Sequence, residues 1–542
     1  HYQLHELLEQ ACFNNRQDLL LKYFEFCKYA LLSRLHRIDF SRTGINQIVK
    51  TYQQTQKYKE YVDYAKSLGM TALAFAEHGN IFEWVHKKEA IEAAGMKYIH
   101  AAEVYLTANK NGEDKHRDNY HCVLIAKNYD GVKELNKLIS CSFNRDDYHY
   151  YYAPRIGFDE LYATSDNIII TTACLGGVLN KSNNDIKTEF LRFLIKNKHR
   201  CYLEIQHHNC EDQAAYNKVL YVIHQKTGIP LIAGTDTHCL NSTHVEGRSI
   251  LQKGKGVFFA DEEAWDLTFK TYDELIEAYK KQNALSEEIY IQAIDNTNIM
   301  ADSIEEFKLD YSKKYPKLYN DSEKALKEKI VKGIKNRGVD KYDNFNEYKE
   351  KIQYELETYK YNGAIDFLLL EEDYKSALKN QGVSYGYSRG SVSGSIIAYL
   401  LGITEVDSIK YNLNFERFMN KERVSLADVD TDWSKKDRYK VREYLFNKDG
   451  LYCCDIITFN TIAMKGAIKD VGRALGLSVD ETQTISDAVY QDENKQDCID
   501  DFYTKKYPEL FKYVDIVKGT IVSIGNHPAG LVVSPFPIDE WF

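Results

Sequence analysis

The apolar positions change rhythm along the chain. Through residues 1–35 they recur at spacings of three and four, at Leu19, Leu20, Tyr23, Phe24, Cys27 and Leu31, which predicts helix. From about residue 57, helical stretches such as 57–68 and 82–94 alternate with short apolar runs that end in polar residues. The runs are 71–76, 97–101, 121–126, 167–172, 201–205 and 230–233. Runs without polar alternation suit strands buried on both faces, so this stretch predicts an α/β fold built on a parallel sheet or barrel. After Thr237 the strand pattern fades. Residues 261–380 read as mostly helical, with Lys/Glu-rich stretches at 323–332 and 347–361 that suit solvated helix faces. A Gly/Ser-rich segment follows at 386–395 and an acidic alternation at 428–432. Residues 456–520 read as helical again, and 521–534 as strand, turn, strand.

Composition narrows the class. At ~150 residues per domain, 542 residues make about three or four domains. With 44% hydrophobic and 28% charged residues the chain can bury a core, which excludes a largely disordered protein. The longest clean apolar run, 396–403, is far short of the ~18 residues a membrane span needs. No secretory leader opens the sequence, and eleven cysteines without a CxxC pair suit a reduced compartment, so the expected location is cytoplasmic. A net charge of −10 and a pI of about 5.9 exclude a uniformly basic nucleic-acid binder but not a local basic surface.

Three segments carry candidate chemistry. Asp428, Asp430 and Asp432 stand at period two, so an extended chain puts the three carboxylates on one face. Like charges so placed repel, and divalent cations would neutralise them; a solvated acidic edge strand is the plainer alternative. Tyr387 to Ser395 is a glycine-serine loop running into an apolar stretch. A helix beginning near Ser393 would aim free N–H groups at an anion, and Arg389 adds a guanidinium fork suited to phosphate. A flexible loop with a serine cap is the alternative there. From 434 to 473, nine Lys/Arg stand against five Asp/Glu, and Lys465, Lys469 and Arg473 fall at i, i+4 and i+8. That stripe suits a nucleic-acid backbone, or simply a solvated helix face. Carboxylates for metal, a loop for triphosphate and a basic stripe for a polymer together point to nucleotidyl transfer.

These segments resemble bacterial replicative DNA polymerases of family C, the DNA polymerase III alpha subunits. The likeness is carried by Arg389 to Thr404, Phe415 to Asn420, Glu422 to Ser425, Asp428 to Asp432, Ile456 to Thr461 with Lys469 to Arg473, and Gly525 to Gly530, in order and spacing. It extends over roughly residues 57–542. The resemblance implies template-directed DNA synthesis from dNTPs on primer-template DNA by a DNA-directed DNA polymerase. Its fold would be a polymerase-beta-like nucleotidyltransferase palm at 266–457 and 524–542, with a helical thumb at 458–523. Asp430 and Asp432 would be the catalytic Mg²⁺ ligands with Asp428 nearby. Gly390 and Ser391 would hold the triphosphate with Arg389, Arg417 and Arg423, and Lys465, Lys469 and Arg473 would grip DNA.

Residues 36–265 resemble the PHP domain of the same polymerases, a distorted β/α barrel with a metal centre, preceded by a helical extension at 1–35. The implied ligands are His36, Glu77, His78, Glu103, His121, Cys174, Asp236 and His238, a mixed set that suits Zn²⁺ or Mn²⁺. The match breaks at the first motif, where His-x-His becomes Arg34-Leu35-His36, and Glu77 replaces an aspartate. An incomplete metal centre without 3′–5′ exonuclease activity is therefore expected. The resemblance also places a third catalytic carboxylate, and contact with a sliding clamp, beyond Phe542, so the chain alone is expected to have little polymerase activity. Two alternatives stay open: a PHP-type phosphoesterase whose C-terminal half only binds DNA, and a non-catalytic polymerase half that binds DNA and a second polymerase chain.

Overall fold

The computed structural model describes residues 48–49, 58–110, 118–256, 265–312, 314–422 and 428–540. The helix expected at 1–35, and the site residues His36 and Arg423, lie outside them. The chain divides into two compact units. One comprises residues up to 307 together with 461–522, and the other comprises 308–460 with 523–542.

The first unit is built on a nine-stranded sheet. Its strands are β1 (Ile48–Val49), β2 (Ala72–Phe75), β3 (Lys97–Thr107), β4 (Tyr120–Ala126), β5 (Tyr150–Tyr151), β6 (Ala153–Gly157), β7 (Ile168–Thr171), β8 (Cys201–Gln206) and β9 (Leu231–Gly234). The pairing order is β1-β2-β3-β4-β7-β8-β9, with β6 beside β3 and β5 beside β6. Each of the six apolar runs is a strand. The sheet is not purely parallel, however: β4 runs antiparallel to both β3 and β7, while β2 with β3, and β7, β8 and β9, are parallel. β4 is the next described element after β3, and antiparallel neighbours need only a short connection.

Both faces of the sheet are covered, which is why its strands read as unbroken apolar runs. Cys122, Leu124, Ile168 and Ile170 pack into one core, and their neighbours Val123, Ile125 and Ile169 pack into the other. Residues 266–307, expected to open the next domain, instead close these cores. Helix Tyr272–Gln282 contributes Leu275 and Tyr279 to one core. Helix Glu287–Asp302 places Tyr290 and Ile294 there and Met300 and Ala301 in the other. The Tyr279 hydroxyl donates to the Ile205 carbonyl at 2.9 Å, and Asn296 to the Leu231 carbonyl at 2.6 Å.

Helices Met464–Ala474, Val479–Asp487, Asp501–Lys506 and Pro508–Val517 also belong to this unit. Ile468, Val471, Leu510 and Val514 form a core with Leu251 of helix Ser242–Gly254. Two glycines seven residues apart on that helix permit the approach. A Cβ on Gly247 would lie 2.4 Å from the Ile516 side chain, and one on Gly254 would lie 2.5 Å from the Asp470 carbonyl.

In the second unit, helices Ser322–Arg337, Phe345–Tyr361 and Ile365–Asn380 surround a core with Ile396, Ile397 and Phe415. A two-stranded sheet joins Tyr452–Thr461 to Ile521–Ser534. Residues 456–461 are thus strand, not the expected helix. Residues 521–534 are one strand without the expected turn.

Candidate active site and metal centre

In the second unit, two inward side chains fix the face that the acidic segment shows. Val429 packs on the core around Ile396, and Trp433 packs beside Tyr374 and Tyr385. With those residues inward, Asp428, Asp430 and Asp432 all face out. The shared face expected of a strand is present, but 428–432 is not itself a strand. It is extended chain held by a single bridge between Tyr385 and Trp433 and by the Gly386 N–H donating to the Asp432 carbonyl at 2.8 Å.

The same contacts bring the glycine-serine loop onto the carboxylates. Arg389 Nη1 lies 2.8 Å from Asp432 Oδ1, and its Nε lies 3.9 Å from Asp430 Oδ2. Gly390 has φ +75, which an L side chain disfavours, and a Cβ there would meet Asp430 Oδ2 at 3.6 Å. The guanidinium therefore bridges two carboxylates that are more than half exposed. Their charge in turn raises the Arg389 pKa, chiefly through the hydrogen bond to Asp432.

Ser391 opens a 3-10 turn, Ser391–Gly394, and the α-helix begins only at Ile396. Ser395 is its cap, accepting from the Ala398 N–H at 3.0 Å. The helix expected from Ser393 thus starts three residues later. Its five residues are too few to carry a strong dipole, and its first N–H groups are already taken. Buried Glu355 accepts from Ile396 N at 2.9 Å, Ile397 N at 3.0 Å and Ser395 Oγ at 2.7 Å, and Tyr359 closes the network at 2.7 Å from Ser395 Oγ. Burial pushes the Glu355 carboxyl up to about 7 against these donors. Arg417 is exposed at the end of the turn Phe415–Arg417, beginning where Gly394 abuts the Asn414 carbonyl.

In the first unit, parallel strands point their C-terminal ends to one rim, and antiparallel β4 brings its N-terminal start to the same rim. His78 follows β2, His121 opens β4, Cys174 follows β7, and Asp236 and His238 follow β9. Glu103 faces them from β3, where it bridges to His78. His121 Nδ1 lies 2.6 Å from Glu103 Oε1 and 3.3 Å from Cys174 Sγ. His78 Nδ1 lies 3.9 Å from Glu103 Oε1, and its Nε2 lies 3.2 Å from His238 Nε2. Asp236 has φ 48 and accepts from His238 Nδ1 through its backbone carbonyl at 2.8 Å. Burial drops the His78 pKa to about 3, leaving a neutral imidazole. Burial also disfavours charge on His121, but Cys174 and Glu103 outweigh it and hold His121 well above its usual range.

His78, Glu103 and His121 form a group compact enough for one ion. Glu77 does not join it. Its carboxylate is paired with the ammonium of Lys87, both side chains almost wholly buried. Lys87 also donates to the Phe82 carbonyl at 2.7 Å. Nothing in the sequence flagged Lys87, because a lysine on a helix reads as solvated.

Lys465 is exposed and Lys469 half-buried on helix Met464–Ala474. Arg473 is also exposed on that helix, with one guanidinium nitrogen donating to the Gly254 carbonyl at 2.9 Å and lying 3.8 Å from Asp470.

Comparison with known proteins gives a consistent picture. The family described as "Bacterial DNA polymerase III alpha NTPase domain" matches residues 323–542, and the PHP domain family matches residues 51–208. DNA polymerase III subunit alpha of Borreliella burgdorferi is 31% identical over 521 residues, covering 90% of this chain and 44% of that protein. The subunit of the same name from Aquifex aeolicus is 30% identical over 551 residues, covering 89% and 47%. The chain thus spans less than half the length of these relatives. Among solved structures, a putative metal-dependent phosphoesterase from Bifidobacterium adolescentis aligns with 35% of this chain and 86% of its own, at 12% identity and a TM-score of 0.26.

Proposed function

We infer that this chain, related over about nine-tenths of its length to the N-terminal portion of DNA polymerase III alpha subunits, carries part of the nucleotidyl-transfer site of a replicative DNA polymerase acting in the cytoplasm. The observation that carries this reading is the Arg389 guanidinium lying across Asp430 and Asp432, next to Gly390. One short segment thereby sets two carboxylates beside a glycine whose backbone lacks a side chain to keep a ligand away. Asp430 and Asp432 would hold Mg²⁺, with Asp428 on the same face. Bound there, Mg²⁺ would act as a Lewis acid at the primer 3′-hydroxyl and the departing pyrophosphate.

The chain's own residues do the rest. Gly390 lets the backbone approach the triphosphate, and Ser391 offers a hydroxyl. Arg389, now across these carboxylates, would offer its fork to phosphate oxygens. Glu355 holds the far end of the loop still. Arg417, Arg423, Lys465, Lys469 and Arg473 are proposed to meet phosphates of nucleotide or DNA. We propose residues 308–457 and 524–542 as palm and the helices within 458–523 as thumb, with residues 266–307 given to the PHP unit.

The test is primer-template binding, followed by fluorescence anisotropy. In Mg²⁺, the dNTP complementary to the next template base should tighten binding more than the other three. Asp430→Asn and Asp432→Asn should erase that increment. Equal tightening by all four dNTPs, or an increment that survives both variants, would refute the reading.

For the PHP unit we propose a single ion on His78, Glu103 and His121, with Cys174 and His238 alongside, and no exonuclease activity. The buried Lys87–Glu77 pair favours this, because it withdraws one of the expected ligands. The mixed N, O and S donors suit Zn²⁺ or Mn²⁺. Metal-dependent digestion of a primer terminus that His238→Ala abolishes would overturn it.

A further inference from the structure

A second group of ligand-type side chains lies in the first unit and shares no residue with the rim centre. Cys141 comes from helix Tyr129–Ser142, His149 from the turn before β5, and Glu160 from helix Phe158–Tyr162. Cys141 Sγ is 3.6 Å from His149 Nε2 and 3.6 Å from Glu160 Oε1, and those two atoms are 2.8 Å apart. A tetrahedral zinc ion with a Zn–S bond of ~2.3 Å and Zn–N and Zn–O bonds of ~2.0–2.1 Å needs edges of about 3.5 Å to sulfur and about 3.3 Å between nitrogen and oxygen. Two of the three edges already match, and the third opens by a small side-chain shift.

The surroundings fit the same purpose. Glu160 Oε2 accepts from the Gly157 N–H at 2.6 Å, which fixes the carboxylate and turns Oε1 toward His149. Asp147 Oδ1 lies 2.6 Å from His149 Nδ1, the position of the outer carboxylate that orients a ligating histidine. Buried His149 presents its other nitrogen to the group. The Lys110 ammonium sits 3.5 Å from His149 Nε2 and 3.4 Å from Glu160 Oε2. It is a half-buried, flexible cation standing where a smaller, more highly charged one would be held more tightly. Tyr148 and Tyr152, both at positive φ, bracket His149 and β5 in the segment that leads from the helix into β6.

We propose that Cys141, His149 and Glu160 form a zinc site, completed by water, that ties the turn before β5 to the helices on either side. Thiolate, imidazole and carboxylate together favour Zn²⁺ over Mg²⁺ or Ca²⁺. The site is structural and independent of nucleotidyl transfer, so it stands or falls apart from that reading.

The test is cobalt and zinc titration of the chelator-stripped full chain. Because Cys174 at the rim also offers a thiol, Cys174→Ser is the background. That protein should bind one Zn²⁺ through the second group and, with Co²⁺, show a thiolate-to-metal charge-transfer band with tetrahedral d–d absorption. Adding Cys141→Ser should remove the band while circular dichroism stays unchanged. Asp147→Asn, a change at an exposed side chain, should weaken zinc ~10–100-fold. Zinc should also slow hydrogen exchange across 143–157. A Cys174→Ser protein without the thiolate band, or a band untouched by Cys141→Ser, would overturn the proposal and leave a hydrogen-bonded cluster around Lys110.

Discussion

Glu355→Gln exchanges one oxygen for an amide nitrogen at a point where every neighbour donates. Ile396 N and Ile397 N donate to separate carboxylate oxygens, and Ser395 Oγ shares the second. Ser395 Oγ donates to Glu355 at 2.7 Å, while the Ala398 N–H donates to the same hydroxyl oxygen. Whichever way a glutamine amide turns, its NH₂ faces a buried backbone N–H, and an unsatisfied buried donor costs ~1–3 kcal/mol. The pH dependence adds a sign. Burial lifts the carboxyl from 4.5 to about 7, so the folded state binds the proton more tightly than the unfolded state. The stability Glu355 contributes is full below ~4.5 and falls as pH rises towards 7, by about 3 kcal/mol in all. Glutamine does not titrate. The variant should therefore be less stable than the unchanged chain near pH 5, and the gap should close or reverse by pH 8. Urea unfolding at the two pH values, with hydrogen exchange read across 390–402, measures it. A gap that widens with pH would show that the three donors hold the carboxylate charged, and would refute the reasoning.

Lys87→Met should destabilise the first unit by ~3–5 kcal/mol, because it strands the buried Glu77 carboxylate; thermal denaturation checks it, and a loss below 1 kcal/mol would contradict the pairing. Gly254→Ala pushes a Cβ toward the Asp470 carbonyl and should cost ~1–3 kcal/mol, seen as faster hydrogen exchange in helix Met464–Ala474. Arg389→Ala should tighten Mg²⁺ binding by baring Asp430 and Asp432 while weakening triphosphate binding, a split that calorimetry with each ligand alone resolves.

Much of the first unit was legible because a sheet covered on both faces leaves apolar runs that need no partner to recognise. The direction of β4 was not legible, since period and composition are the same in parallel and antiparallel strands. The boundary at 265 failed for a related reason: Tyr279, Tyr290 and Met300 look like the core of any helix, and only packing shows that they seal the sheet. The acidic segment was read correctly in its alternation, because Val429 and Trp433 mark the inward face. Its isolation from any sheet was not visible, because pairing is a long-range property. Lys87 and Glu355 escaped notice because burial turns an ordinary charge into a determinant, and burial is not written locally.

The central claim is that Asp430, Asp432 and the glycine-serine loop bind a metal-nucleoside triphosphate together. The most direct measurement is equilibrium binding of a dNTP to the full chain across a Mg²⁺ titration, for the unchanged protein and for Asp430→Asn and Asp432→Asn. Losing a charged contact of ~1.5–3 kcal/mol should weaken Mg²⁺-dependent binding by ~10–100-fold in each variant. Binding that is independent of Mg²⁺, or equal in all three proteins, would contradict the account.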